Sequence, residues 1–187
     1  MRRASLSAAA SCLAILAAPA LASAAGPVVE GGVVRTLLVG PKNERFSNLD
    51  GGTVKVGFEV GSRHWRSEWA FNQTLLWGSA EVAGGASGEH RLSMTGFSYQ
   101  LTFLFWASGL TPYLGAGAEM GLATMEEPSW SSADAVDTSA GAYLRPYGVA
   151  GLRLQLDSGL GLRAELSASY YRELVSMGPS LGLSYTW

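Results

Sequence analysis

The chain holds two histidines, His64 and His90, and each poses the question of what it could do. Around His90 stand Ser87, Ser93 and Glu89, the residue types of a hydroxyl nucleophile, a base and an orienting carboxylate. Residues this close along a Gly-rich stretch rarely hold a base within hydrogen-bond reach of a nucleophile, so an ordinary histidine is the plainer reading. His64 falls at a separate predicted turn, at the other end of the fold, so the two imidazoles cannot share a metal. Between Met125 and Thr138 the acids Glu126, Glu127, Asp134 and Asp137 occur with no basic residue. Carboxylate oxygens suit hard divalent cations, but the EF-hand spacing is missing, and a solvated acidic loop is the plainer reading. Gly115, Gly117 and Gly121 do not make a phosphate loop, because neither a Gly-Lys-Ser/Thr run nor a helix follows them. They are expected to make room for long side chains.

The one cysteine, Cys12, lies in an N-terminal segment with the grammar of a secretory leader. Arg2 and Arg3 are its positive start, Ala4 to Leu21 its uncharged apolar stretch, and Ala22-Ser23-Ala24 its small-residue cleavage site. The expected division is a signal peptide over residues 1–24 and one domain over 25–187. Without Cys12 the mature chain has no disulfide, no thiol chemistry and no cysteine-ligated metal. Losing Arg2 and Arg3 leaves 11 basic against 15 acidic residues, a net charge of −4, which is no footprint for nucleic acid. No cofactor is implied.

The elements that must position any site are read from a period of two. Leu181, Leu183, Tyr185 and Trp187 alternate with Gly182, Ser184 and Thr186, which in a strand separates an apolar face from a small polar one. Leu160 to Tyr170 alternate with Arg163 and Glu165, and Leu152 and Leu154 with Arg153. Tyr113 to Leu122, Phe97 to Phe105, Trp65 to Trp77 and Val54 to Val60 behave alike. The apolar phase slips near Gly96, where Leu92 and Met94 fall out of step, and a bulge is expected there. A first strand lies within Val28 to Val39 with its register open, because Val33 and Val34 occupy opposite faces. The total is eight strands. Long polar loops are expected at Gly40 to Gly52, Ser79 to His90 and Met125 to Thr138, and tight turns near His64, Gly109 and Ser158.

Alternation alone also fits a soluble barrel, so the decision rests on which face points outward. The polar face is rich in Gly, Ser and Thr and carries Lys55, Arg63, Arg66, Arg145, Arg153 and Arg163 with Glu59, Glu68, Glu119 and Glu165. Charges of both signs on such a face suit a narrow lumen in which they pair, because an unpaired ion there is costly. Aromatic residues gather at strand ends (Trp65, Trp77, Tyr113, Tyr170, Tyr171, Tyr185, Trp187), as in the girdles of membrane barrels. The chain ends on its apolar alternation.

The fold class expected is therefore all-β, an eight-stranded antiparallel up-and-down transmembrane β-barrel. From Val28 to Trp187 the sequence resembles the small OmpA/OmpX-type outer-membrane barrels. Pro179, Leu181, Leu183, Tyr185 and Trp187 are similar to the family's terminal strand, although the family usually ends in Phe. Thr111-Pro112-Tyr113-Leu114-Gly115-Ala116-Gly117 resembles a strand start common among such barrels. The resemblance implies a monomer in outer-membrane lipid and lipopolysaccharide, delivered by a barrel-assembly machinery that reads Leu181, Leu183, Tyr185 and Trp187. It also implies a structural or surface-interaction role with an external partner left open. The alternatives are a hydrolase resembling the barrel-borne lipid A deacylases, using His90 with Ser87 or Ser93, and a narrow channel.

Overall fold

The computed structural model describes residues 24–38, 48–81, 87–106, 109–129, 132–171 and 174–187. These form eight strands: β1 (Ala24–Leu38), β2 (Leu49–Gly61), β3 (Trp65–Glu81), β4 (Ser87–Leu104), β5 (Gly109–Ser129), β6 (Ser132–Gln155), β7 (Leu160–Tyr171) and β8 (Leu174–Tyr185). Every sequential pair is antiparallel and β8 returns to β1, so the sheet closes. The leader lies outside the described residues apart from Ala24, the first residue of β1.

Closure follows a slant that can be read from the register. Starting at Arg35, the ladder through Asp50, Trp77, Arg91 and Glu126 reaches β6 at Thr138. The opposite route through Met177 and Ala168 reaches β6 at Gly148. The ten residues between Thr138 and Gly148 are the stagger that tilted strands need to close.

The apolar positions of the alternation face outward. Val29, Val33, Phe58, Trp65, Phe71, Trp77, Phe97, Met120, Leu144, Leu166, Leu181, Leu183 and Trp187 are exposed. Trp65 and Trp77 bracket the outward apolar row of β3, and the residues between them project onto roughly 30 Å at a strand tilt near 40°. On the outer surface of β3 and β4, Trp65–Phe103, Trp69–Tyr99 and Phe71–Phe97 stack across the strands, with ring centroids 5.0, 4.5 and 5.5 Å apart. Such pairs contribute about 0.5–1.5 kcal/mol beyond the area they bury.

The turns at one end are tight, as expected. Ser62 N donates to Trp65 O, and Gly159, at φ +86°, closes the Asp157-Ser158-Gly159 turn with its N–H on Leu156 O. At the other end the described parts of two expected loops are strand instead. β3 continues to Glu81 with β4 starting at Ser87, and β5 continues to Ser129 with β6 starting at Ser132. Neither face there carries a regular row of bulky apolar residues, and the backbone ladder persists without one.

The expected bulge near Gly96 is absent. The β3–β4 and β4–β5 ladders run through it without a shift, and the one register shift between β5 and β6 falls at Pro128/Ser129. Leu92 and Met94 point inward and join Leu49, Leu76 and Tyr143 in an apolar cluster. What changes along β4 is the chemistry of the lumen, from polar to apolar. The open register of β1 resolves with Val28 buried and Val29 and Val33 outside.

Candidate functional site

Inside the barrel, five cations (Lys55, Arg66, Arg145, Arg153, Arg163) meet five carboxylates (Glu30, Glu59, Glu68, Glu119, Glu165). They come from all eight strands except β4 and β8 and are stacked in three groups. In the central group, Lys55 Nζ on β2 lies 3.0 Å from Glu68, 3.4 Å from Glu30 and 3.9 Å from Glu165. Arg163 on β7 bridges Glu30 and Glu68. Glu165 accepts from the Tyr113 hydroxyl at 3.0 Å and from Gln100 Nε2 at 3.2 Å, and Ser180 Oγ donates to Glu30 at 2.7 Å. Neutral donors thus complete a set in which three carboxylates face two cations.

The group nearer the tight turns reverses the ratio. Arg153 donates to both oxygens of Glu59 at 2.6–2.7 Å, and Arg66 lies 3.9 Å from the same carboxylate. Arg153 also reaches Gln155 and Ser184. The third group, toward the long-strand end, is Glu119 with Arg145 at 2.7 Å and the Tyr143 hydroxyl. Taken together the charges cancel, which is the condition for holding ions away from water without a net buried charge.

Small residues make this packing possible. A Cβ on Gly182 would lie 2.9 Å from Arg163 Nε, and one on Gly151 would lie 2.6 Å from the ring of Tyr113. Gly117 similarly underlies Tyr147, and Gly115 faces Val149, whereas Gly121 meets backbone of β4. The void enclosed by Glu59, Arg66, Tyr113, Arg153 and Arg163 is about 10 Å³, room for about one water. Above it, a cavity of about 70 Å³ bordered by Lys55, Asn72, Thr74, Arg145 and Ser167 separates the central ions from the apolar cluster.

Of the ten residues expected in the lumen, nine are brought there and one is not. Arg63 lies in the turn between β2 and β3 and is exposed, because alternation ends with the strand at Gly61. Tyr113, expected in the girdle, is buried in the lumen, since it shares the face of Thr111 rather than of Leu114. Glu30, Gln100, Tyr113, Tyr143 and Ser180 were not foreseen as partners. Glu30 could have been found only with the register of β1 settled, which the Gly31-Gly32 pair leaves open. Leu181, Leu183, Tyr185 and Trp187 all face outward, with Trp187 N donating to Ala25 O and its ring near Phe58.

Among the described residues the hydrolase arrangement of His90 with Ser93 is not assembled. His90 faces the lumen and is fully buried, while Ser93 lies on the other face of β4 and accepts from Gln73 Nε2. Glu89 pairs with Arg91 at 2.7 Å, and the side chain of Ser87 lies outside the described residues. His64 Nδ1 bonds Leu104 O at the opposite end of the barrel. Among the described residues no group of three metal-ligating side chains converges.

No family model matches the chain, and no curated protein does. Solved structures do. Neisserial surface protein A is 12% identical with a TM-score of 0.60, over 88% of this chain and 99% of that one. The attachment invasion locus protein Ail of Yersinia pestis is 14% identical with a TM-score of 0.56, over 89% of this chain and 100% of that one. A structure of Ail with the heparin analogue sucrose octasulfate is 18% identical with a TM-score of 0.51, over 88% and 98%. With its closed ring of antiparallel strands, apolar exterior and ion-filled interior, the chain has the fold of the small eight-stranded outer-membrane barrels.

Proposed function

We propose that this chain is an outer-membrane protein whose lumen does not conduct, and that its role lies at its external surface, in supporting the membrane or in contacting a partner outside. One observation carries this reading: the charges of the lumen pair among themselves and leave voids of only about 10 and 70 Å³ between them. A hydrocarbon setting accounts for the exposed apolar belt, because a closed sheet leaves no backbone group unpaired in lipid. Export uses residues 1–24 as a cleaved leader, and the outward row of Leu181, Leu183, Tyr185 and Trp187 is the segment offered to the assembly machinery.

The reading is tested in planar bilayers, where the purified barrel is expected to give no discrete conductance steps. Steps of uniform size would replace it with a narrow channel. Sequencing the N-terminus of protein from outer membranes is expected to start near Ala25, and an intact Met1 would remove the leader. A hydrolase is disfavoured by the opposite faces of His90 and Ser93, so His90→Ala is expected to leave the host's lipid A acylation pattern unchanged. Loss of a deacylated species on that substitution would establish the enzyme.

The external surface is uneven. β6 has 24 residues and β7 has 12, so a wall built from β3 to β6 stands above a low rim of β7, β8 and β1. Allowing for the slant of the ladder, Trp77 sits at about the height of Ala142 on β6. Strand beyond that point stands clear of the apolar belt and is the part available to a partner. Ail has been solved with a polysulfated ligand. In this chain the raised ends of β5 and β6 carry Glu126, Glu127 and Asp137, so a polyanion is not their complement.

A further inference from the structure

The lumen charges cancel as a whole but not locally. Three guanidinium groups, those of Arg66, Arg153 and Arg163, line the void of about 10 Å³ near the tight turns, and Glu59 is the one carboxylate among the described residues around it. Arg163 is taken up by Glu30 and Glu68, and Arg153 by Glu59. Arg66 is left as the surplus. Its Nε lies 3.9 Å from the Glu59 carboxylate that Arg153 already holds. Among the described residues no acceptor stands within hydrogen-bond reach of its Nε or Nη1, although both atoms are buried.

A buried charged donor with an unmade bond costs more than a neutral one, and a guanidinium cannot shed its proton to escape that cost. Water would satisfy the donors of Arg66 but not its charge. In a low-dielectric interior a charge close by outweighs cancelling charges farther off, because the interaction falls with distance. The void has room for about one water-sized particle, which excludes phosphate, sulfate and carboxylate-bearing solutes and admits a single-atom anion. Arg66 is the second residue of β3, and its side chain keeps 14% of its surface exposed, so an ion can enter from the turn end.

We infer that the turn end of the lumen binds one halide ion, chloride or bromide, beside Arg66. Nε and Nη1 of Arg66 donate to the ion, and Arg153 and Arg163 add to the positive field around it. The ion completes the ionic plug from below, at a dead end that needs no path through the barrel.

The test follows unfolding of the full barrel from phosphatidylcholine vesicles in urea, since guanidinium chloride would itself supply the ligand. Sodium chloride is compared with sodium sulfate at equal ionic strength. Chloride is expected to raise the folding equilibrium constant about tenfold, saturably, once it reaches about ten times its dissociation constant. That order is the reverse of the general salt effect, because sulfate strengthens burial by exclusion from the surface. Arg66→Gln abolishes the chloride dependence while Arg153 still holds Glu59, and Arg91→Ala, which removes an exposed arginine, keeps it. Crystals of the unmodified barrel grown in sodium bromide are expected to show an anomalous peak beside Arg66, so the site is tested even if Arg66→Gln fails to fold. Equal or greater stability in sulfate would overturn the halide, and a chloride dependence that survives Arg66→Gln would overturn its place. A water in the void with no bromide peak would overturn both. None of these results touches the conductance measurement, on which the sealed barrel stands or falls separately.

Discussion

The two ends of the lumen are closed by opposite chemistry. Toward the tight turns, ions interlock: Arg153 on Glu59, Arg163 on Glu68 and Glu30, Lys55 between three carboxylates. Toward the long strands, Leu49, Leu76, Leu92 and Met94 pack around Tyr143 with no ion among them except the Glu119–Arg145 pair that Tyr143 touches. Both arrangements exclude water, but by different means. Ion pairs are directional and fail badly when one member is lost, whereas apolar packing fails in proportion to the volume removed. The contrast teaches that a barrel of this size can be filled by either kind of side chain, and that the choice decides how it breaks.

The sharpest way to break the contrast is to take one ion from the centre. Arg163→Met leaves Glu30, Glu68 and Glu165 facing Lys55 alone and is expected to cost about 3–5 kcal/mol in guanidinium unfolding from lipid vesicles, followed by tryptophan fluorescence. A cost near zero would mean that the ions are solvated rather than interlocked. The double variant Arg163→Met with Glu68→Gln recovers part of the loss, because it removes a stranded charge together with its partner.

At the apolar end, Leu92→Ala is expected to cost about 2–3 kcal/mol, the transfer and cavity terms of one buried Leu. It leaves the ion pairs untouched, so conductance stays silent. A conducting Leu92→Ala barrel would place the seal in the apolar cluster instead of the ionic centre. Outside the lumen, Trp69→Ala removes the 4.5 Å stacking on Tyr99 and is expected to cost about 1 kcal/mol. Smallest of all is Arg91→Ala, which breaks an exposed pair with Glu89. The unfolding midpoint is expected not to move, because water and salt screen such pairs.

How much of this was legible beforehand depended on whether a residue's role follows from its own strand. Leu181, Leu183 and Trp187 announce an outward face by alternation alone, and Arg163 and Glu165 announce the inward one. Leu92 and Met94 misled, because apolar residues on the inward face imitate a slip of register. The strand character of Ser79 to Glu81 and Ser132 to Thr138 was hidden for a related reason, as neither face there carries a regular row of bulky apolar residues. Glu30 was hidden by Gly31 and Gly32, which leave β1 without a bulky marker of phase.

The sequence by itself determined the number of strands, the faces of most of them and nine of the ten lumen charges, because side-chain direction repeats every second residue along one strand. Only the tertiary structure decided which charge meets which. Arg163 and Glu68 are 95 residues apart, Arg153 and Glu59 are 94, and Ser180 and Glu30 are 150. Such partners are chosen by the stagger at which the sheet closes, and that stagger is a property of all the ladders together rather than of any single strand.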